Sequence, residues 1–445
     1  MTTLAQTAGL AQLPDDNMLG VVGRFQKNPV AVFEQMEGMG APLVRFRLAH
    51  KKPIYVASLE ALREMMRYWQ VYQKNTSETT RTLLGNGLVF AEGEEWATQR
   101  RIISPAFHRQ AISSYVDIMR EHTLERMQVQ QRGLVDMSRV FHEIAIRVVR
   151  DTLFGTQNDA VELQRVLDGT LYMLNHIVKQ RKNPLSPPLW MPTPANRKAL
   201  KYHREIERVV RKAMEEKQMG HGGGTSMLEM MLSARDEESA QGLSQANIID
   251  QVKIFFVAGT DTSSNTLAWA FYLLQKHPEV EHRLREEIAT VLGTEAVGMD
   301  DLPKLPYLRA VIQETLRMYP ATWINARQPN KDVILEGIAL PKGTSLVFSP
   351  YTLHRKPELW EAPDTFRPER FVGMETLPVH YMPFLAGPRR CIGDQFAMTE
   401  MMVILATLIQ HFRWEFPAGF EAQPAWGSTL GMAAPLMTNL TSQTP

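Results

Sequence analysis

The chain has 445 residues, 44% hydrophobic and 22% charged, which is ample for a core and too apolar for a disordered chain. Its 49 Lys and Arg balance 48 Asp and Glu, so no global field points to nucleic acid or to an acidic substrate. The single cysteine excludes an intramolecular disulfide framework, and no window of about 18 apolar residues reads as a transmembrane anchor.

The first twenty residues carry no basic segment followed by an apolar run, so the expectation is a protein that stays in a reducing cytoplasm. Residues 1–28 read as an N-terminal extension and 29–445 as one domain. From Pro29 to Trp69 an amphipathic helix, alternating stretches at Leu43–Arg47 and Pro53–Ala57 and a helix over Leu59–Trp69 suggest a small sheet packed on helices. Residues 75–95, polar and glycine-punctuated, read as a loop, and a helix begins near Glu94.

Helical periodicity dominates 108–217. It is broken at 183–194, where five prolines in twelve residues forbid a helix. That break carries Leu189, Trp190 and Met191, and suits either a flexible lid or a packed connector. Gly220–Gly224 reads as a flexible linker in which His221 is solvated. The largely apolar stretch from Gln245 to Lys276, stopped by Pro278, predicts a helix running through the middle of the protein. Ala258-Gly-Thr-Asp-Thr-Ser263 stands at its centre. Buried hydroxyl and carboxyl groups there need partners, so a local opening of the helix or bound water is expected, the alternative being hydroxyls that bond back to their own helix.

A helix over Pro306–Met318 places Glu314 and Arg317 on one face, by itself an ordinary surface pair. Val333–Leu335 and Thr344–Phe348 suggest a small sheet, and the loop Phe366–Phe371 offers the Arg370 guanidinium. Phe384-Leu-Ala-Gly-Pro-Arg-Arg-Cys391-Ile-Gly393 then holds the lone cysteine, followed by a helix over 394–412 and a tail with a hairpin within Gly427–Met437. Cys391 is thus expected at a helix N-terminus, where the dipole favours a thiolate, and Gly387 and Gly393 permit close approach of a flat ligand. Ligation of iron and a buried free cysteine both remain open on this stretch alone.

Taken in order, these features resemble the cytochrome P-450 family of haem-thiolate monooxygenases over nearly the whole chain. Phe384, Gly387, Arg389, Cys391 and Gly393 match its cysteine loop, Glu314 and Arg317 its Glu-x-x-Arg helix, and Arg370 its Glu-Arg-Arg cluster. Ala258–Ser263 matches the central-helix signature, and Trp96 with Arg100 the helix bordering the haem. The resemblance implies a mainly α fold with small β-sheets (α+β), a long central helix over haem b, Cys391 as the axial thiolate and Asp261 with Thr262 as the proton relay.

It further implies Trp96, Arg100, Arg327 and Arg389 as partners of the haem carboxylates, and Glu314, Arg317 and Arg370 as a buried network. The family lines its substrate pocket from Leu83–Phe90, Met173–Ile177, Ile254–Thr262, Ala321–Ile324 and Leu430–Met432. Phe90, Ala258, Ile324 and Met432 are the lining residues singled out, with Thr322 and Asn325 the nearest polar exceptions, which implies an apolar small-molecule substrate such as a fatty acid, a terpenoid or a polyketide-like molecule. The stretch from Gly85 to His108 looks more like the fatty-acid branch of the family than the camphor branch.

No phosphate-cradling glycine motif follows a strand, so electrons are expected from NAD(P)H through an external reductase and a ferredoxin or flavodoxin. That carrier would dock at Arg100, Arg101, Arg109, Arg389 and Arg390, and the enzyme is expected to be a monomer. A peroxygenase would normally lack the acid and alcohol pair, a haem sensor would not need it, and a cysteine hydrolase would need a base near Cys391, where no histidine stands beside it in sequence.

Overall fold

A computed structural model describes residues 10–128, 134–155, 160–182, 186–219, 226–236, 238 and 240–443. The linker Gly220–Gly224 with its His221, and residues 183–185 of the proline-rich break, lie outside them. The chain divides into two compact units, Met1–Asn75 with Gln313–Cys391 and Pro424–Gly431, and Thr76–Ile312 with Ile392–Gln423 and Met432–Pro445.

The first unit is built on a mixed six-stranded sheet. Its strands lie in the order Ala11–Gln12, Leu43–Arg45, Ile54–Val56, Leu346–Phe348, Asn325–Pro329 and Tyr72–Gln73. Ala11 pairs with Val44 and Leu13 is fully buried, so the described end of residues 1–28 is woven into this sheet. Helix Pro29–Glu37 starts on Asn28, whose side chain accepts from the Ala31 N–H, and helix Leu59–Arg67 starts on Ser58 in the same way. One face of the sheet packs on Leu62, Met65, Met66 and Met382, the other on Phe33, Met36 and Trp323. Val333–Leu335 forms a hairpin with Ile338–Leu340, while Leu346–Phe348 joins the large sheet. In the tail Pro424–Trp426 pairs with Leu430–Met432.

The second unit is helical. Gln245–Lys276 is one continuous helix, capped by Ser244, and its side chains Phe256, Trp269 and Phe271 are almost wholly buried. Phe271 stacks on Trp414 at 4.2 Å and meets Phe141 edge-on at 5.6 Å, and burying such a ring contributes roughly 1.5–3 kcal/mol. Helices Met137–Phe154, Pro194–Gln218 and Asp394–His411 pack around it. A three-stranded sheet of Phe412–Glu415, Met437–Ser442 and Leu134–Asp136 closes one edge.

The sequence reading needs correction in four places. Residues 75–95 contain a helix, Glu78–Leu84, hidden by its β-branched threonines although Ser77 caps it through the Thr80 N–H. The strand Leu134–Asp136 interrupts the helical stretch 108–217, and helix Met227–Ser233, with its Ser226–Glu229 capping box, escaped notice. The central helix does not open. Thr260, Thr262, Ser264 and Thr266 each donate to the carbonyl four residues earlier, at 2.6–2.9 Å, so the hydroxyls are satisfied within the helix. In the proline-rich break Asn196 Nδ2 holds the carbonyls of Pro188 and Met191, both at 2.8 Å, while Trp190 is 79% exposed.

Candidate active site

The cysteine loop in the first unit is a preformed turn. Cys391 N–H donates to Phe384 C=O at 3.0 Å, and Arg390 N–H to Gly387 C=O at 3.0 Å. Gly387 has φ +68°, and a Cβ there would stand 2.5 Å from the Met66 carbonyl oxygen, so the backbone itself requires glycine. The thiol of Cys391 is exposed. A free cysteine ordinarily behaves as a small buried hydrophobe, so the buried-cysteine alternative falls. The helix that follows begins at Asp394 with Gly393 as its cap, two residues beyond the cysteine.

The first unit also holds an ion cluster built on a fully buried pair. Arg317 grips Glu314 in a fork, Nε to Oε2 at 2.7 Å and Nη2 to Oε1 at 2.8 Å, with both side chains wholly inaccessible. Arg370 Nε adds 3.1 Å to Glu314 Oε1, and the Arg367 N–H donates to the same oxygen at 3.0 Å. Arg317 Nη1 donates to the carbonyls of His354 and Pro363 at 2.9 and 2.7 Å. The expectation of a surface pair from spacing alone is therefore wrong, and the structure brings Glu314, Arg317 and Arg370 together.

His354 extends this cluster to the backbone of Met382. Its Nε2 accepts from the Met382 N–H at 2.9 Å, which puts the ring proton on Nδ1, where it donates to the Arg317 carbonyl at 3.1 Å. Burial pushes its pKa down to about 3, so the ring stays neutral. Nothing in the sequence marked His354. Of the other first-unit residues, Arg327 is 3% exposed on strand Asn325–Pro329, Ile324 and Phe384 are half-buried, and Arg389 lies over the Trp69 ring at 5.9 Å.

In the second unit, helix Gly93–Ile103 sets Trp96 and Arg100 one turn apart on the same face, with Trp96 6% exposed. The loop after Leu84, which carries Phe90, is tied to the central helix. Asp250 Oδ2 accepts from the Asn86 N–H and Gln251 Oε1 from the Leu88 N–H, both at 2.9 Å. Ala258 is exposed although it stands mid-way along an otherwise buried helix, and Asp261 and Thr262 beside it are half-buried. Burial raises the Asp261 pKa, opposed by His142, whose Nδ1 lies 3.5 Å from Asp261 Oδ1. His142, on helix Met137–Phe154, carried no sequence signal.

Glu400 is the third missed group. It is wholly buried on helix Asp394–His411, and neither carboxyl oxygen has a hydrogen-bond partner among the described residues. Burial raises its pKa to about 8, with the neighbouring Ser263 hydroxyl opposing but not overcoming that shift. Its signal was present, since it is the one acid in the apolar run 397–412. Gly393 and Met432 complete the predicted set. A Cβ at Gly393 would meet Phe107 only at an ordinary 3.5 Å, and Met432 ends a strand, half-buried.

An accessible thiol on a stiff loop and a buried guanidinium at Arg327, both within the first unit, are donors of the kind an iron porphyrin with two carboxylates needs. Comparison with known proteins points the same way. The family model described as Cytochrome P450 matches residues 17–435. The cyclooctat-9-en-7-ol 5-monooxygenase of Streptomyces melanosporofaciens is 32% identical over 89% of this chain and 87% of its own. The pentalenene oxygenase of Streptomyces avermitilis is 32% identical over 96% of each chain, and a cytokinin hydroxylase of Arabidopsis thaliana 30% identical over 78% and 70%.

Proposed function

The chain belongs to the cytochrome P450 family, a haem-thiolate monooxygenase that needs a redox partner and acts on a hydrophobic substrate, and on that premise we propose how its residues divide the work and which substrate it takes. Cys391 would hold the haem iron through its sulfur. When bound, the haem supplies dioxygen activation, with the thiolate favouring O–O cleavage. Phe384 and Gly387 shape the ligand loop, and Gly393 is kept for close approach of the porphyrin, since packing against Phe107 leaves room for a side chain. Arg327, Arg389, Arg100 and Trp96 would hold the haem carboxylates.

Thr262 orients water. Its hydroxyl proton is committed to the Ala258 carbonyl at 2.6 Å, so the oxygen is left to accept from a water and fix its direction. Asp261 carries the proton. Burial makes it easier to protonate than a surface carboxyl, and His142, one-third exposed, links it to solvent. Phe90, Ala258, Ile324 and Met432 face the substrate.

The substrate we favour is a neutral cyclic hydrocarbon or alcohol of the terpenoid kind. The observation that carries this is compositional. The five stretches expected to line the pocket contain no Lys or Arg, and His176 is the one residue in them able to turn cationic toward a fatty-acid carboxylate. The names of the two Streptomyces relatives carry a cyclic alkenol and pentalenene. Electrons come from NAD(P)H through a reductase and a ferredoxin or flavodoxin, and the enzyme works as a cytoplasmic monomer. No helix among the described residues is long and apolar enough to cross a membrane.

Titration of the haem spin-state shift tests the substrate class. Pentalenene should bind at least tenfold more tightly than a fatty acid of equal carbon number. Tighter binding of the fatty acid would overturn the reading and call for a cation in the pocket.

A further inference from the structure

Two buried amides close a hydrogen-bonded circuit on the loop that follows Leu84. Gln251, on the central helix, is 0% exposed, and Gln99, on helix Gly93–Ile103, is 2% exposed. The Leu88 N–H donates to Gln251 Oε1 at 2.9 Å, Gln251 Nε2 donates to Gln99 Oε1 at 2.8 Å, and Gln99 Nε2 donates back to the Asn86 C=O at 3.1 Å. The path begins on a backbone donor and ends on a backbone acceptor of the same loop, so the backbone sets the direction of both amides. An amide serves both positions because it accepts and donates at once. A carboxylate at either would set oxygen against oxygen, and an apolar side chain would strand a buried partner.

The stretch so held is lean in side chains, with glycine at 85 and 87. A Cβ at Gly87 would stand 2.6 Å from Ile254 Cδ1 and 3.0 Å from Gln251 Oε1, so the loop backbone lies directly against the central helix. The N–H groups of Phe90 and Ala91 both donate to the Gly87 C=O, at 2.8 and 2.9 Å, so the turn that carries Phe90 is built on Gly87. Gln251 stands two helical turns before the exposed Ala258, and both lie on one face of the central helix, about 10 Å apart along its axis. The circuit thus fixes the backbone beside that face.

We propose that Gln99 and Gln251 are positioning residues for substrate specificity, which fix residues 86–88 and through them set where Phe90 stands relative to Ala258. They act through the loop and not on the substrate. The inference rests on the reading that Phe90 and Ala258 face the substrate, and adds what holds the two at one separation. A buried polar network whose members are paired rigidifies its surroundings and selects one arrangement of the chain. A pocket that separates a rigid ring system from a flexible chain requires such a wall.

The test compares the haem-loaded wild type with Gln99→Met, Gln251→Met and the double variant, methionine matching glutamine in length and helix propensity. Hydrogen exchange across residues 86–88 should speed up about tenfold in each. The ratio of spin-state affinities for pentalenene and for a fatty acid of equal carbon number should fall about five-fold from whichever ligand the wild type prefers. The double variant should do no more than either single one, because both break the same circuit. Unchanged haem content and an unchanged carbon monoxide spectrum certify the fold. Where Gln251→Met fails to hold haem, Gln99→Met carries the test, since it leaves Leu88 bonded to Gln251 and opens only the Asn86 end. Exchange indifferent to the changes, or an unchanged affinity ratio, would overturn the proposal. Phe90→Ala separates the two readings. If it shifts the ratio while the glutamine variants do not, the positioning role alone falls; if it too leaves the ratio unchanged, the place of Phe90 in the pocket falls as well.

Discussion

At the scale of single residues, two side chains on neighbouring helices make opposite demands. Thr262→Ala removes the oxygen that would accept from a water while barely changing volume. Substrate affinity should survive, and product formed per reduced nicotinamide consumed should fall roughly tenfold or more, with peroxide making up the difference. An unchanged ratio would move the water-orienting role to Asp261 or to Ser263. Glu400 bears on stability instead. Its folded pKa of about 8 lies above the ordinary carboxyl value, so the folded state holds a proton that the unfolded chain has released. Stability should therefore be highest below about pH 4.5 as far as this group is concerned, fall as pH rises toward 8, and level off beyond. Glu400→Gln should remove that slope and stabilise the protein at pH 8 by an amount on the order of a few kcal/mol. Urea unfolding at several pH values measures it, and an identical slope in the variant would place the titration elsewhere.

At the scale of elements, the helix Pro306–Met318 and the loop around Arg370 are one structural piece because they share a carboxylate. Glu314→Ala would leave Arg317 and Arg370 facing each other in the interior, at a cost on the order of 3–5 kcal/mol. Low yield and low haem content are expected, and a variant that melts with the wild type would show the cluster to be dispensable. The same piece shows what a sequence reveals and what it hides. Unbroken apolar character and proline punctuation made the helices Gln245–Lys276 and Pro306–Met318 readable. Spacing could not distinguish a buried Glu314–Arg317 pair from a surface one, because burial is decided by Arg370, 56 positions beyond Glu314, and by the Pro363 and His354 carbonyls. Helix Glu78–Leu84 was lost for a local reason, three threonines outweighing a good cap. His142 and His354 acquire their roles only from residues distant in sequence, whereas Glu400 stood in plain view in an apolar run.

At the scale of the whole molecule, near-neutral net charge conceals local fields of consequence. Of the cations expected to meet an acidic electron carrier, Arg390 stands exposed at the end of the cysteine loop. Arg390→Glu should slow reduction by the carrier several-fold at low salt and much less at high salt, leaving substrate binding alone. Stopped-flow rates at several ionic strengths decide it, and insensitivity to both would move the docking site. The central claim, however, is that the one cysteine of the chain ligates the haem iron. Its most direct test is the Soret band of the reduced, carbon monoxide-bound protein, recorded for the wild type and for Cys391→His. The wild type should show the red-shifted band of a thiolate-ligated haem and the variant should lose it while still holding haem. A wild-type band at the histidine-ligated position, or the thiolate band persisting in the variant, would contradict the account.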